Sequence, residues 1–175
     1  MIRRATADDL TAICQIYSDI HSMEEAGKAV IGWDREIYPT RDTAEAALHR
    51  GDLFVMEEDG GITGCGIINQ IQVDAYQKAA WQYDISDDKV IVLHTLVISP
   101  HASGKGYGSK FVSFYEDYAL RCGCPVLRID TNEKNTIARS MYRKLGYREA
   151  DIVPCVFNGI EGVRLVLLEK KLDDK

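Results

Sequence analysis

The chain has no apolar run of transmembrane length, and Met1-Ile2-Arg3-Arg4 leads into no signal-peptide core. It also lacks an excess of basic residues, because 21 lysines and arginines stand against 27 aspartates and glutamates, for a net charge of −6. General binding to nucleic acid or to an anionic membrane is therefore not expected. These absences favour a cytoplasmic protein with neither kind of partner.

The cysteines and histidines indicate neither a disulfide framework nor a metal site. The five cysteines are an odd number, and Cys122-x-Cys124 is too short for the usual zinc spacing. The four histidines show no metal-ligand spacing either. We expect reduced, packed thiols and no metal.

Repeats, low-complexity tracts and linkers are also missing. At 175 residues, with 46% hydrophobic and 27% charged residues, the chain is long enough for a sizeable core. We therefore expect a single domain over residues 1–175.

One continuous stretch organises the rest of the chain. The nine residues Val90–Ile98 are apolar or nearly so, which predicts a strand buried on both faces. A turn with three alternate glycines follows, and apolar residues then recur at helical spacing up to Cys122. A strand, a glycine-rich turn and a helix N-terminus together form a site suited to phosphate oxygens. The turn matches neither the Walker pattern nor the dinucleotide pattern.

The flanking sequence predicts an alternation of further strands and helices. Helices are expected to begin near Thr6, Asp42 and Asn135. Strands are expected over residues 2–5, 53–57, 62–71, 125–130, 147–157 and 163–170, with a hairpin turn at Glu58-Asp59-Gly60-Gly61.

Two segments lack periodicity and are candidates for a substrate pocket. Residues 22–41 contain Trp33 and Tyr38, which are costly to leave in a solvated loop, and residues 74–89 are polar with interspersed aromatics. Trp33 and Tyr38 either anchor a loop to the core or form a wall that faces the substrate.

Two separated motifs carry a resemblance to a known family. The first is Leu96-Val97-Ile98-x-Pro100-x-x-Ser103-Gly104-Lys105-Gly106-Tyr107-Gly108-Ser109, and the second is Asn135-x-x-Ala138-x-x-x-Tyr142-x-x-x-Gly146-Tyr147. In this order, separated by one predicted strand, they resemble the GNAT superfamily of N-acetyltransferases over nearly the whole chain.

The resemblance implies an α/β (α+β) fold. Its central sheet is mixed and mostly antiparallel, is flanked by helices, and has its fourth and fifth strands splayed apart. We expect the parting near residues 96–98 and 127–129. The resemblance also implies acetyl-CoA as co-substrate, held by the first motif together with Asn135 and Ala138. It admits a homodimer formed through the late strands.

Two residues depart from the family pattern. Ser103 stands where the family usually has Arg or Gln, so Lys105 or Lys110 is expected to supply the missing charge. Tyr107 replaces a usual aliphatic residue and is interpreted as a packing variation. The main-chain donors of the turn depend on neither side chain.

The implied reaction is direct acetyl transfer from a thioester to an amine of a small molecule or peptide. It needs a neutral amine, a polarised carbonyl and a protonated leaving thiolate. The backbone N–H of Val97 is our candidate donor to the carbonyl oxygen, and Tyr142 is the proposed general acid. From an ordinary phenol to a thiolate, the proton transfer is uphill by about 1.5 pKa units, or about 2 kcal/mol. Packing of the helix face is the alternative role for Tyr142.

The sequence offers several candidates for the general base. His94 is the titratable side chain inside the central strand, and its reference pKa near 6.5 suits proton acceptance. Alternatively, His94 is a buried, hydrogen-bonded structural residue, and a bound water or Glu57 acts as the base. Asn135 is expected to bind the pantetheine arm, to cap its helix, or both.

Two other classes of function compete with the enzyme. A non-catalytic acyl-CoA-binding sensor would keep the glycine turn but has no need of Tyr142. A nucleotide-binding protein is disfavoured because no carboxylate pattern for a metal matches the turn.

Overall fold

The computed structural model describes residues 1–58 and 60–172. The elements follow one another in the predicted order: β1 (Ile2–Arg4), α1 (Leu10–Glu25), α2 (Arg41–Arg50), β2 (Leu53–Glu58), β3 (Gly61–Asn69), β4 (Val90–Ile98), α3 (Tyr107–Arg121), β5 (Val126–Asn132), α4 (Thr136–Lys144), β6 (Arg148–Phe157) and β7 (Ile160–Lys171). Short 3-10 turns precede α1 and lie between β3 and α3. The expected hairpin turn after β2 includes Asp59, which lies outside the described residues.

All seven strands form one sheet in the order β1-β2-β3-β4-β5-β7-β6. Every neighbouring pair is antiparallel except β4 and β5, which are parallel and joined through α3. The structure thus confirms the mixed, mostly antiparallel sheet flanked by helices.

Strand β4 lies at the centre of the sheet because both of its faces are apolar. Ile91 and Leu93 pack into the cluster under α3, whereas Val90 and Val92 pack into a second cluster on the opposite face. All four side chains are at most 2% exposed. Burying both faces of a strand in this way requires the near-continuous apolar run seen in the sequence.

Helix α1 is longer than expected, since it continues to Glu25 instead of closing near His21. The last turn was missed because Ser22, Glu24 and Glu25 are polar and break the apolar periodicity. Residues 74–89 contain two short 3-10 helices, as their irregular pattern indicated. In the described part of the chain, no helix is long and apolar enough to cross a bilayer.

Candidate active site

Strands β4 and β5 are paired at one end and separate at the other. Their parallel pairing runs from Val90 and Val126 to Leu93 and Ile129, and it ends there. Residues 127–129 are therefore still paired, so the expected position of the parting on β5 was wrong by a few residues. Beyond it, a cavity of about 480 Å³ lies between the strand ends.

A bulge in β4 marks the parting. His94 pairs with Ile67 and Val97 with Cys65, so two residues of β4 oppose Gly66 alone. Within the bulge, Thr95 has a φ of 51°, which a β-branched residue rarely adopts. Gly66 is needed because a Cβ there would lie 2.9 Å from the Phe111 ring.

The loop between α1 and α2 closes over the cavity and is tied to this bulge. The Tyr38 hydroxyl is hydrogen-bonded to the Thr95 hydroxyl, and burial raises the pKa of Tyr38 to about 12. Earlier in the loop, Gly32 approaches Asn132 so closely that a Cβ would collide with its amide. The loop therefore depends on both strand ends for its position.

The backbone donor that faces the gap is not the one expected. The Ser99 N–H donates to Thr63 O at 2.8 Å, which makes this pair a hydrogen-bonded pair of the antiparallel ladder. Val97 lies two residues earlier, opposite Cys65, so its N–H also points toward β3. The register therefore disfavours Val97 as the carbonyl donor, and the neighbouring Leu96, which lies in the bulge, is the alternative candidate.

The glycine turn lies outside the cavity, at the N-terminus of α3. Gly106 is the N-cap residue, with a φ of 75°, and no side chain caps the helix. Helix α4, by contrast, is capped by Asn135, whose side chain accepts from the Ala138 N–H at 3.2 Å. The first N–H groups of α3 lack acceptors within the helix, so they remain available as donors.

The two lysines near the turn differ in whether they form an ion pair. Lys110 is engaged by Glu58, whereas Lys105 is exposed, with its ammonium 5.9 Å from the Tyr107 ring. Of the two lysines expected to compensate for Ser103, Lys105 is therefore the better placed. Tyr107 packs against the core under α3, in agreement with its interpretation as a packing variation.

Helix α4 contributes side chains to two separate hollows. One side of it contributes Asn135, Ala138 and Tyr142 to the cavity wall. Its other side forms a groove of about 470 Å³ with the start of α3, which is lined by Ser109, Thr136, Ile137, Ser140, Met141, Lys144 and Leu145. A Cβ at Gly108 would lie 2.9 Å from the Met141 sulfur, so glycine allows α3 and α4 to meet.

Tyr142 is 5% exposed, and its ring packs edge-on against Tyr147 at 5.9 Å between centroids. Burial, and then the charge of Asp130, raise the pKa of Tyr142 well above its ordinary value. The phenol is therefore protonated at neutral pH. It is also a weaker acid than an exposed tyrosine, so proton transfer from Tyr142 to a thiolate costs more than the approximately 2 kcal/mol expected from reference pKa values.

His94 lines the cavity, and its Nε2 lies 3.1 Å from the amide oxygen of Asn69. Burial lowers the pKa of His94 to about 4, so the ring is neutral at pH 7 but only weakly basic. Glu57 pairs with Arg3 at 3.2 Å on β2 and does not line the cavity. The geometry therefore disfavours both as the base.

Asp130 was not singled out in the sequence. It is the first residue of β5 beyond the paired region, and it lines the cavity. The Tyr76 hydroxyl donates to its carboxylate at 2.7 Å, and burial raises its pKa to about 6. The sequence feature that could have identified Asp130 is its position as a polar residue at the end of an otherwise apolar predicted strand.

Trp33 and Tyr38 both line the cavity, with their rings edge-to-face at 6.1 Å. Apolar side chains form most of the remaining wall on this side, among them Ile20, Ile31, Phe157, Ile160, Val163 and Leu165. The structure thus brings both aromatic candidates into the same cavity as Tyr142 and His94.

Comparison with known proteins gives one family over most of the chain. The model of the acetyltransferase (GNAT) family matches residues 10–147. An uncharacterised N-acetyltransferase of Bacillus subtilis, YhfO, is 26% identical over 148 residues, which are 85% of this chain and 89% of that protein. An uncharacterised N-acetyltransferase of Methanocaldococcus jannaschii is 24% identical over 87% of this chain, which is 62% of its own length.

Solved structures share the same fold. A GNAT-family acetyltransferase from Streptococcus agalactiae superposes with a TM-score of 0.83 at 23% identity, covering 100% of this chain and 96% of its own. The Salmonella typhimurium protein yncA, solved with its cofactor acetyl-CoA, gives a TM-score of 0.70 at 23% identity, covering 100% and 95%.

Proposed function

Because this chain belongs to the GNAT family of acetyltransferases, we propose that it is an acetyl-CoA-dependent N-acetyltransferase. The acetyl group passes directly to a primary amine of a small molecule or peptide. The observation that carries this proposal is the cavity between β4 and β5, which collects the expected residues of both motifs apart from the glycine turn. The two uncharacterised relatives from B. subtilis and M. jannaschii both carry the name N-acetyltransferase, which supports the choice of nitrogen as the acceptor atom.

The residues present fit acetyl-CoA. The uncapped start of α3 offers backbone N–H groups to phosphate oxygens, and a Cβ at Gly106 would have nothing within 4 Å, so a ligand can approach. Ile98 lies between Val97 and Ser99, so its backbone groups point away from β3 and toward the gap. We place the Leu96 N–H in the same gap, where the pantetheine arm can bind both residues. Ser103, Gly104, Lys105, Gly108 and Ser109 surround the proposed phosphate site.

When bound, acetyl-CoA supplies an activated acetyl group with a thiolate as leaving group. The Leu96 N–H would stabilise negative charge on the carbonyl oxygen as a preorganised donor. Tyr142 would protonate the departing sulfur. Because burial raises its pKa, this transfer is favourable only when coupled to the departure of the sulfur.

His94 is assigned a different role from the expected one. Its low pKa makes it a neutral hydrogen-bonding group, and its link to Asn69 holds the cavity wall beside the bulge. Asn135 would serve both as the cap of α4 and as a partner of the pantetheine arm. Homodimer formation and a cytoplasmic location stay predictions.

Release of free thiol tests the proposed function. Purified protein is incubated with acetyl-CoA and a panel of primary amines, while mass spectrometry follows the acetylated amine. We expect one thiol for each acetylated amine. If acetyl-CoA binds but no amine in the panel releases thiol, the protein is instead a non-catalytic acyl-CoA-binding module.

A further inference from the structure

Asp130 is a carboxylate without a cation. In residues 1–58 and 60–172, its hydrogen-bond partner is the Tyr76 hydroxyl, and no lysine, arginine or histidine forms an ion pair with it. Burying an unpaired carboxylate is costly. The part of Asp130 that remains accessible faces the cavity, so a bound ligand can reach it.

The groups that face Asp130 from neighbouring elements do not compensate its charge. They are Tyr38 from the loop, Tyr76 from the segment before β4, Tyr142 from α4 and Cys155 from β6. Burial raises the pKa of each, so all four are neutral at pH 7. His94, which lines the same cavity, is also neutral there.

The guanidinium in the cavity wall does not balance the charge either. Arg50 lines the cavity, but its Nε donates to Asp52 at 2.8 Å and its Nη2 donates to the same carboxylate at 3.2 Å. The cavity therefore combines apolar and aromatic walls with one uncompensated negative group at the parting of the strands.

We infer that Asp130 binds the ammonium group of the acceptor and takes its proton, so that the cavity selects primary amines with no carboxylate beside the amino group. This assignment rests on the proposed function and names its substrate class. An α-amino acid would place its own carboxylate next to Asp130, and like charges in a site of low dielectric repel each other.

The proton balance is complete with the groups present. Asp130 takes one proton from the ammonium and later releases it to solvent. The free amine nitrogen bonds to the acetyl carbon, the carbon–sulfur bond breaks, and Tyr142 gives its proton to the sulfur. The second proton of the nitrogen restores the Tyr142 phenol. Burial raises the pKa of Asp130 to about 6. The equilibrium constant for proton transfer from the ammonium to this carboxylate is therefore about a hundredfold larger than for an ordinary aspartate.

Two ligands with the same body test the recognition without turnover. Binding of 2-phenylethylamine and of L-phenylalanine to the protein saturated with coenzyme A is measured by calorimetry at pH 7.5. We expect the amine to bind at least tenfold more tightly than the amino acid. Asp130→Asn should remove most of this preference, whereas Asp151→Asn, which removes a charge outside the cavity, should preserve it. An equal preference in wild type and Asp130→Asn overturns the inference, as does absence of amine binding to either protein.

The pH dependence separates proton acceptance from a structural role. In the wild type, kcat/KM for 2-phenylethylamine should fall as the pH drops through about 6, because Asp130 must be ionised. Tyr76→Phe should move this limb to higher pH, since the lost hydrogen bond had lowered the pKa. Asp130→Asn should abolish the limb and lower kcat/KM by about 10²- to 10⁴-fold.

If Asp130 only holds Tyr76 in place, Asp130→Asn should keep its kcat/KM, because the amide oxygen still accepts from the Tyr76 hydroxyl, and that result contradicts the inference. Stability gives a readout that is independent of activity. A raised carboxyl pKa destabilises the fold as the pH rises from about 4 to about 6, so the melting temperature of the wild type should fall relative to that of Asp130→Asn over this range.

If every amine fails to release thiol while acetyl-CoA binds, the proposed function fails, and the binding comparison still decides the assignment of Asp130.

Discussion

The two ends of the β4–β5 pair are built from the same strands but differ in chemistry. At residues 90–93 and 126–129 the strands are hydrogen-bonded to each other. Seven of these eight side chains are apolar and almost fully buried, and the eighth, Arg128, is buried beneath Trp81. Beyond Leu93 and Ile129 the ladder stops, and His94, Thr95, Asp130 and Asn132 line a cavity.

This contrast shows how one sheet serves both as core and as binding site. Where the strands pair, backbone groups satisfy one another and apolar side chains exclude water. Where they part, the freed backbone groups and the polar side chains need other partners, and a ligand can provide them. The bulge at Thr95 is where one arrangement changes into the other.

The largest effect on the open end is expected from Tyr142→Phe. Loss of the proton donor should lower kcat about 10²- to 10⁴-fold. Stability should change by about 1 kcal/mol, because the ring and its packing remain. The matched control is Tyr147→Phe, which removes the hydroxyl of the neighbouring buried ring. In residues 1–58 and 60–172 this hydroxyl has no hydrogen-bond partner, and Tyr147 does not line the cavity. Normal turnover of Tyr142→Phe, under conditions in which chemistry limits the rate, would assign proton donation to water.

At the paired end, Leu127→Ala should act on stability and not on chemistry. Leu127 is completely buried and pairs with Ile91, so we expect a loss of about 2 to 5 kcal/mol in the free energy of unfolding. Urea unfolding measures this loss. Leu96→Ala, at the partly buried open end, should cost less stability. If both variants lose the same stability, the two ends do not differ as described.

The glycine turn offers a test of cofactor binding. Gly106→Val should reduce the affinity for acetyl-CoA at least tenfold in calorimetry, because a branched side chain fills the space that phosphate would occupy. Val is also strained at a φ of 75°, so a control must carry the same strain. Gly123→Val supplies it at the other end of α3, where φ is 69° and a Cβ also has nothing within 4 Å. Equal affinities in the two variants would remove the phosphate site from the turn.

The smallest effect is expected at the acceptor wall. Trp33→Ala should raise the apparent KM of the amine about fivefold, corresponding to about 1 kcal/mol, while leaving the KM of acetyl-CoA unchanged. Tyr118→Ala is the control, since the Tyr118 ring is also partly buried but packs on Phe54 and Phe114, away from the cavity. Equal changes in both KM values with a lower melting temperature would make Trp33 merely structural.

The fold was predictable because each element carries its own local signal. The apolar run of β4, the turn signals and the helical spacing of α3 and α4 all act over a few residues. The end of α1 was missed because its last turn is mostly polar. The Glu24 carboxylate there accepts from the Ile31 N–H, a contact that apolar periodicity does not reveal.

The site was less predictable because it depends on pairing across the sheet. Which N–H groups of β4 face the gap depends on the register with β3 and on the bulge at Thr95, and for this reason we propose Leu96 in place of Val97. The isolation of Asp130 arises from what surrounds it in space, including Tyr76 at 54 residues' separation. The weak basicity of His94 likewise results from its burial.

A crystal structure of the protein with acetyl-CoA tests the central claim most directly. The account predicts the acetyl group in the gap between β4 and β5, with its carbonyl oxygen about 3 Å from the Leu96 nitrogen. The sulfur should face the Tyr142 hydroxyl, and the pyrophosphate should lie on the first N–H groups of α3. An acetyl group bound outside the gap, or a Leu96 N–H that donates to β3, would contradict it.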